Sequence, residues 1–396
     1  MRRWKRLGLV ALLSAMAVGV ALGGTSAFGG GQAKAKPIII GADVAVKAGD
    51  MAPFDSPALG GAQIWAKKIA AAGGPRFVIK VCDNQGKNQK ACAAQLLAAG
   101  AKIALVTCDV EIAAPGTQEF INKGLLTIAP CVTTDQMGPQ RFGKKGRLAF
   151  TVGSTQQDEG SAEAEWAYSK GWRTAVVVKD NLLVYFKEVS DSFAKRFEEL
   201  GGKIVQREAF TSFDKSIGDV ISRVAPTKAD VISFVTAFGE LPQFVAGIRS
   251  AGNKTPIINS WGGQGTYWNP KDPPVTDYFT TNYGSAFGDD PNPKVNALLK
   301  AMLAAKKIPY TASFVLGAAT MELIAEAVKQ NGGSTNGLKL AQTFEKFKAF
   351  PTISGPVTYS KTLHSVVGRP WRIMQNQNNK ETFLRLFKTR KPVTLP

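Results

Sequence analysis

The chain has a single histidine in 396 residues, His364. That scarcity excludes histidine-rich metal centres, and any Ser-His-Asp or Cys-His triad would have to recruit this one ring. Also missing are a G-x-G-x-x-G loop after the first apolar strand, a phosphate-cradling P-loop and a G-x-S-x-G nucleophile turn, so nucleotide-cofactor and α/β-hydrolase chemistries find no anchor. Acidic residues are few, 30 against 49 basic ones. The positive charge is spread along the chain, apart from short pairs such as Lys144-Lys145 and the tail 388–391. A nucleic-acid binder should show clustered charge, and none is expected as a partner; a basic protein meeting anionic polymers fits better. Beyond residue 22 no run is apolar enough to span a bilayer.

What is present begins with a leader. Residues 1–6 carry four positive charges and no negative one ahead of apolar 7–22 and the small residues 23–27, the layout of a signal peptide over 1–27. A transmembrane anchor is the alternative, because the run approaches the length of a spanning helix. Its Gly/Ala/Ser-rich character and the small-residue exit at Ala27 favour cleavage, with the mature chain starting within 28–37. No cysteine near that exit supports a lipid anchor. Removal of the leader would leave a formal charge of +15. The expected location is exported, periplasmic or extracellular and associated with the cell envelope.

In such a compartment the four cysteines, Cys82, Cys92, Cys108 and Cys131, read as two disulfides. Their spacings of 10, 16 and 23 lack the close C-x-x-C knuckles of a tetrahedral metal site, so no metal is expected. Three pairings are possible. Cys82 with Cys92 and Cys108 with Cys131 is preferred, since the first would pin a strand-to-helix loop and the second would join the ends of two neighbouring strands.

From residue 37 onward short continuous apolar runs alternate with helical patterns, the mark of a parallel sheet covered on both faces. Strands are expected at 38–40, 77–82, 103–107 and 125–129, with helices at 58–72, 88–99 (Asn88 as N-cap) and 116–122. The grammar restarts with strand 150–152, followed by helices 158–169, 187–200, 217–225 and 241–251 between strands 174–178, 203–207, 231–235 and 256–259. A Gly/Pro/Asn-rich stretch, 261–293, precedes helices 294–306, 312–330 and 338–347 and strand-like segments 356–359, 371–376 and 383–387. The roughly 365 residues beyond the leader exceed what one core usually holds, so two lobes are expected.

The stretches Ile40-Gly41, 59–62 (Leu-Gly-Gly-Ala), 71–74 (Ala-Ala-Gly-Gly), 81–84 (Val-Cys-Asp-Asn), 123–130 (Lys-Gly-Leu-Leu-Thr-Ile-Ala-Pro), 214–216 (Asp-Lys-Ser) with Asp230, and 249–252 (Arg-Ser-Ala-Gly) fall in an order and spacing that name a family. The chain resembles the type I extracytoplasmic solute-binding proteins of ABC importers, in the branched-chain amino acid and amide group. The resemblance implies an α/β fold with two doubly wound parallel-sheet lobes, joined by three crossover strands and closing on a solute between them. Lobe 1 would comprise 37–153 and 283–358, lobe 2 154–282 and 359–396, with crossings near Gly153, Asn282 and Tyr359.

It also implies a site. In the family, a hydroxyl residue after the third strand and a threonine past the fourth hold a ligand carboxylate. Thr133 keeps the second position, beside Cys131; the first falls on Asp109 or Val110, so either Asp109 points away or the ligand group is not an anion. Tyr185 matches a stacking tyrosine with a one-residue shift, and Phe238 falls where another aromatic is expected. The glutamate that would hold an ammonium is replaced by Trp261, which stacks on flat groups or faces a cation. Unless Asp109, Glu111 or Glu240 supplies negative charge, the solute is flat, aromatic or amide-type.

The resulting expectation is a non-enzymatic, cofactor-free, monomeric binding protein that delivers a small amino-acid-like, amide or aromatic solute to ABC permease subunits. A ligand sensor reporting to a membrane receptor is the runner-up, and an exported hydrolase the alternative from another class. His364 is expected at a turn or hinge.

Overall fold

The computed structural model describes residues 36–395; the expected leader lies outside them. Two sheets organise the chain. The first is wholly parallel, in the order β2-β1-β3-β4-β5, from β1 (Ile38–Val44), β2 (Phe77–Asp83), β3 (Ile103–Val106), β4 (Leu126–Ala129) and β5 (Ala149–Thr151). Between these strands run α1 (Ala52–Ala71), α2 (Gln89–Ala98), α3 (Val110–Asn122) and the short α4 (Pro139–Phe142). Strands β3, β4 and β5 are buried throughout, whereas edge strand β2 is largely exposed, as a sheet covered on both faces requires of its centre but not its rim.

The second sheet repeats the same winding with β6 (Thr174–Asp180), β7 (Lys203–Phe210), β8 (Val231–Val235), β9 (Ile257–Asn259) and β10 (Tyr278–Asn282), in parallel order β7-β6-β8-β9-β10. Helices α5 (Gln156–Ser169), α6 (Val184–Glu199), α7 (Ile217–Val224) and α8 (Glu240–Ser250) accompany it. The chain then supplies α9 (Pro293–Ala304), α10 (Ser313–Gln330), α11 (Gly337–Phe344) and the hairpin β11 (Phe350–Thr352) and β12 (Gly355–Val357). Finally β13 (Trp371–Gln377) pairs antiparallel to β10, and β14 (Lys380–Phe387) antiparallel to β13, extending the second sheet.

Helix α10 lies against α1 so closely that the contact tolerates no side chain at two points. A Cβ on Gly61 would run into the Phe314 carbonyl, and one on Gly317 into the Ala58 carbonyl. This is the use of the Gly-Gly pair at 60–61, read above only as a resemblance.

The chain passes between the sheets three times, after β5, after β10 and after β12. The crossings are tied to one another: Ser154 bridges Val366, its amide donates to the Tyr283 hydroxyl at 2.9 Å, and the Arg369 guanidinium donates to the Val152 carbonyl at 2.9 Å. Arg369 also sits over the Tyr283 ring, 4.6 Å from its centre.

Several expectations shift. Strand β10 falls inside the stretch read as loop, and helices α1, α3 and α6 each begin earlier than periodicity indicated. Asn88 stands at the N-terminus of α2, yet its side chain makes no capping bond.

Candidate functional site

Each sheet carries a buried aspartate at the point where its strand order reverses, the place where open α/β sheets hold ligands. In the first, Asp55 of α1 accepts the Ala45 amide after β1 and the Cys108 amide after β3, both at 2.8 Å, and the Thr107 hydroxyl. Burial pushes its carboxyl up to about 7, against the lowering effect of those bonds. In the second, Asp180 at the end of β6 accepts the Ser212 amide at 3.0 Å, the Ser212 hydroxyl at 2.6 Å and the Thr236 hydroxyl at 2.8 Å. These bonds hold the strand-end loops in place, and between those loops lies a cavity.

The cavity is lined by Met51, Phe54, Cys108 and Asp109 from the first lobe and by Leu183, Tyr185, Phe186, Ala237, Phe238, Trp261 and Gly262 from the second. Every one of them follows the carboxyl end of a parallel strand. The cavity measures ≈ 20 Å³, enough for about one water. The rings make contact across it: Phe54 meets Trp261 edge to face, 5.1 Å apart at 83°.

Two prolines explain how the first lobe reaches this cavity. Pro57 and Pro115 lie inside α1 and α3, and both helices continue for about a turn on the N-terminal side of the proline. The carbonyl left free by the missing Pro57 N–H is that of Pro53. It accepts the Thr311 hydroxyl at 2.9 Å. The extra turns carry Phe54 and Asp109 to the cleft.

Asp109 is the N-cap of α3. Its Oδ1 accepts the amides of Glu111 at 2.8 Å and Ile112 at 2.9 Å, satisfying two orphan donors of the first turn. Burial raises its carboxyl to about 6, partly offset by the Ile112 bond. Val110 and Cys131 do not line the cavity. Val110 is buried in the first-lobe core, and Cys131 lies behind the wall in a disulfide with Cys108, Cα atoms 4.9 Å apart. The second disulfide joins Cys82 to Cys92, 5.4 Å between Cα atoms. Both pairings are those preferred from the strand ends.

Thr133 does not line the cavity either. Its hydroxyl is engaged with that of Tyr283 at 2.7 Å, at the crossing. Of the two other acidic candidates, Glu240 accepts the Phe213 amide at 2.7 Å, and Glu111 accepts the Val184 amide at 2.9 Å. Neither lines the cavity.

In the second lobe the structure adds a residue that the sequence reading passed over. Glu159 of α5, wholly buried, accepts the Trp261 amide at 2.7 Å, the Thr281 hydroxyl at 2.8 Å and the Tyr185 hydroxyl at 2.9 Å. It thus fixes two of the cavity's rings from behind. Burial drives its carboxyl and that of Glu163, which also accepts from Thr281 at 3.1 Å, well above the usual range. One signal could have found the pair: like charges four apart on a helix flanked by Gly160, Ala162 and Ala164 repel unless buried with partners. The Trp261 indole N–H has no acceptor among the described residues. His364 is remote from all this. Its ring stacks on Phe150 at 3.8 Å, and burial depresses it to about 4.

The comparisons agree with this architecture. The profile of a family described as periplasmic binding protein matches residues 38–381, and the chain belongs to that family. Leu/Ile/Val-binding protein homolog 3 of Brucella melitensis is 23% identical over 325 residues, covering 81% of this chain and 86% of the relative. The substrate-binding protein LivJ of Streptococcus pneumoniae, solved with isoleucine, superposes with a TM-score of 0.77 at 20% identity, covering 89% of this chain and all of that one. A solute-binding protein from R. palustris, solved with benzoate, gives 0.71 at 18% identity, covering 89% and 96%. Such relatives and neighbours are solute-binding proteins of transporters, not enzymes.

Proposed function

We propose that this periplasmic binding protein is the exported solute-recognising component of an ABC-type importer, binding one small amino-acid-like, amide or aromatic solute between its lobes. The observation that carries the reading is a cavity walled from both sheets by residues at strand carboxyl ends, with aromatic rings from the second lobe meeting Phe54 of the first. A hinged clamp needs that layout, because a solute touching both walls stabilises the closed form in proportion to its differential contacts. The bodies that move are 37–153 with 283–358 against 154–282 with 359–396. Asp109, Tyr185, Phe238 and Trp261 contact the solute; Val110, Cys131 and Thr133 shape the wall and hinge behind them. The protein acts as a monomer and hands its solute to membrane permease subunits.

A thermal-shift screen of small amino acids, amides and aromatic solutes tests the reading. At least one should raise the melting temperature, since a ligand of the folded state adds RT ln(1 + [L]/Kd). The same solute should shrink the radius of gyration in X-ray scattering. A stabilising solute that leaves the scattering curve unchanged would argue against closure, and a panel without any hit would argue against the cleft.

A further inference from the structure

The cavity has one carboxylate and no opposing charge. Asp109 lines it, and no lysine, arginine or histidine does. Its Oδ1 is spent on the amides of Glu111 and Ile112, while no donor among the described residues is paired with Oδ2. This inverts the usual chemistry of a helix N-terminus, which favours anions. The two amides that would greet an anion are already taken, and by a group that repels one. Glu111, two residues on, opposes the ionised form of Asp109, and Arg141 offsets that effect.

The rest of the wall suits a cation. Phe54, Tyr185, Phe186, Phe238 and Trp261 surround the same small space, with Met51 beside them. Aromatic faces attract organic cations, and the attraction grows when the site is desolvated, as it is here. The basic surface of the chain opposes cations only from a distance, since ionic screening limits it to about 8–10 Å at physiological salt. Within the cleft Asp109 and the rings decide. The Trp261 indole N–H has no acceptor among the described residues, and a carboxylate would serve it only at the expense of bringing like charge to Asp109.

Resting on the solute-binding reading above, the geometry points to a small organic cation without a carboxylate, an alkylammonium or amidinium whose charged head lies against Asp109 and whose apolar body lies among the rings. Neither a free carboxylic acid nor a zwitterionic amino acid fits that wall.

Titration calorimetry on the full mature chain at about pH 7.5, where Asp109 is ionised, decides it with isosteric probes: benzamidinium, benzamide and benzoate, with phenyltrimethylammonium and isoleucine beside them. Benzamidinium should bind at least about tenfold more tightly than benzoate. Asp109→Asn keeps a good helix cap, so it should fold, lose about tenfold or more for benzamidinium and gain affinity for benzoate. Trp261→Phe, which retains a ring face, should keep the order of the probes, whereas Trp261→Leu should weaken both cations. If benzoate or isoleucine binds more tightly than either cation, the cation assignment is overturned while solute binding stands. If no probe binds, benzamide included, both readings fall. Should Asp109→Asn fold and leave the probe order unchanged, Asp109 does not set the charge preference.

Discussion

The Glu111 carboxylate accepts the Val184 amide at 2.9 Å, joining the first turn of α3 to the first turn of α6 across the cleft. Gln264 repeats the device, its Oε1 accepting the Ala312 amide at 2.8 Å. Side chains of one lobe thus satisfy helix-terminal amides that belong to the other, so the bonds exist only when the lobes are together.

Glu111→Ala should therefore open the protein without unfolding it. A charged hydrogen bond contributes on the order of 1.5–3 kcal/mol, so solute affinity should drop about tenfold and the radius of gyration rise. The melting temperature should move little, because the substitution removes no buried apolar group. An unchanged scattering curve with full affinity would mean that the bond plays no part in closure.

Trp261→Ala should weaken the best solute more than it lowers stability. The indole touches Phe54 of the opposite lobe at 5.1 Å and Tyr283 of the crossing at 5.7 Å. Its amide bond to Glu159 survives the substitution. A fall in melting temperature with binding intact would identify the ring as structural.

The disulfides should separate stability from recognition. By chain-entropy arguments each contributes about 3 kcal/mol. Cys108 lines the cavity next to Asp109, whereas Cys82 and Cys92 sit at the edge of the first sheet. Replacing Cys108 and Cys131 together by serine should lower both melting temperature and affinity; the same change at Cys82 and Cys92 should lower only the first. Equal loss of affinity in both double variants would contradict this division.

The pH dependence of stability has a definite sign. Burial raises Asp43 and Asp55 to about 7, Asp158 to about 6 and Glu381 to about 7, so the folded state binds protons more tightly than the unfolded one. Their stabilising effect is complete below the unfolded carboxylate range and is lost as pH climbs through those values. Asp109, Glu159, Glu163 and Glu322 are raised by burial in the same sense, whereas His364, depressed to about 4, and the hydrogen-bonded Glu208, Asp214 and Asp230, lowered, work the other way. The melting temperature should be higher at about pH 5.5 than at about pH 8. A melting temperature that climbs steadily between those points would show that these carboxylates are not buried as described.

Much of the fold was legible because a parallel sheet leaves a strong trace. Strand β3 is a continuous apolar run, and β4 and β8 are broken only by the buried Thr127 and Ser233; near-continuity of that kind needs cover on both faces. The starts of α1 and α3 were not legible. The expected helices begin at 58 and 116, one residue past Pro57 and Pro115, each of which removes an N–H from the helix ladder, yet a distant hydroxyl, Thr311, serves the carbonyl that Pro57 leaves unpaired. The misread turns are the ones that bring Phe54 and Asp109 to the cleft. Tyr185, Phe238 and Trp261 were placed at the cleft by the family resemblance, and they stand beyond strand ends, where open α/β sheets hold ligands. Glu159 was passed over because its role lies in partners from Trp261 and Thr281, more than 100 residues away in sequence.

By itself the sequence determined the alternation of strands and helices, a preference for pairing Cys82 with Cys92 and Cys108 with Cys131, and the family resemblance, because periodicity and spacing along the chain encode local structure. Only the tertiary structure decided what each polar group is spent on. It turned Thr133 toward Tyr283, Glu240 toward Phe213 and Glu111 toward Val184, and left Asp109 as the carboxylate of the cavity. A side chain's hydrogen-bond partner is fixed by which distant backbone arrives beside it, and that depends on the folding of two lobes together.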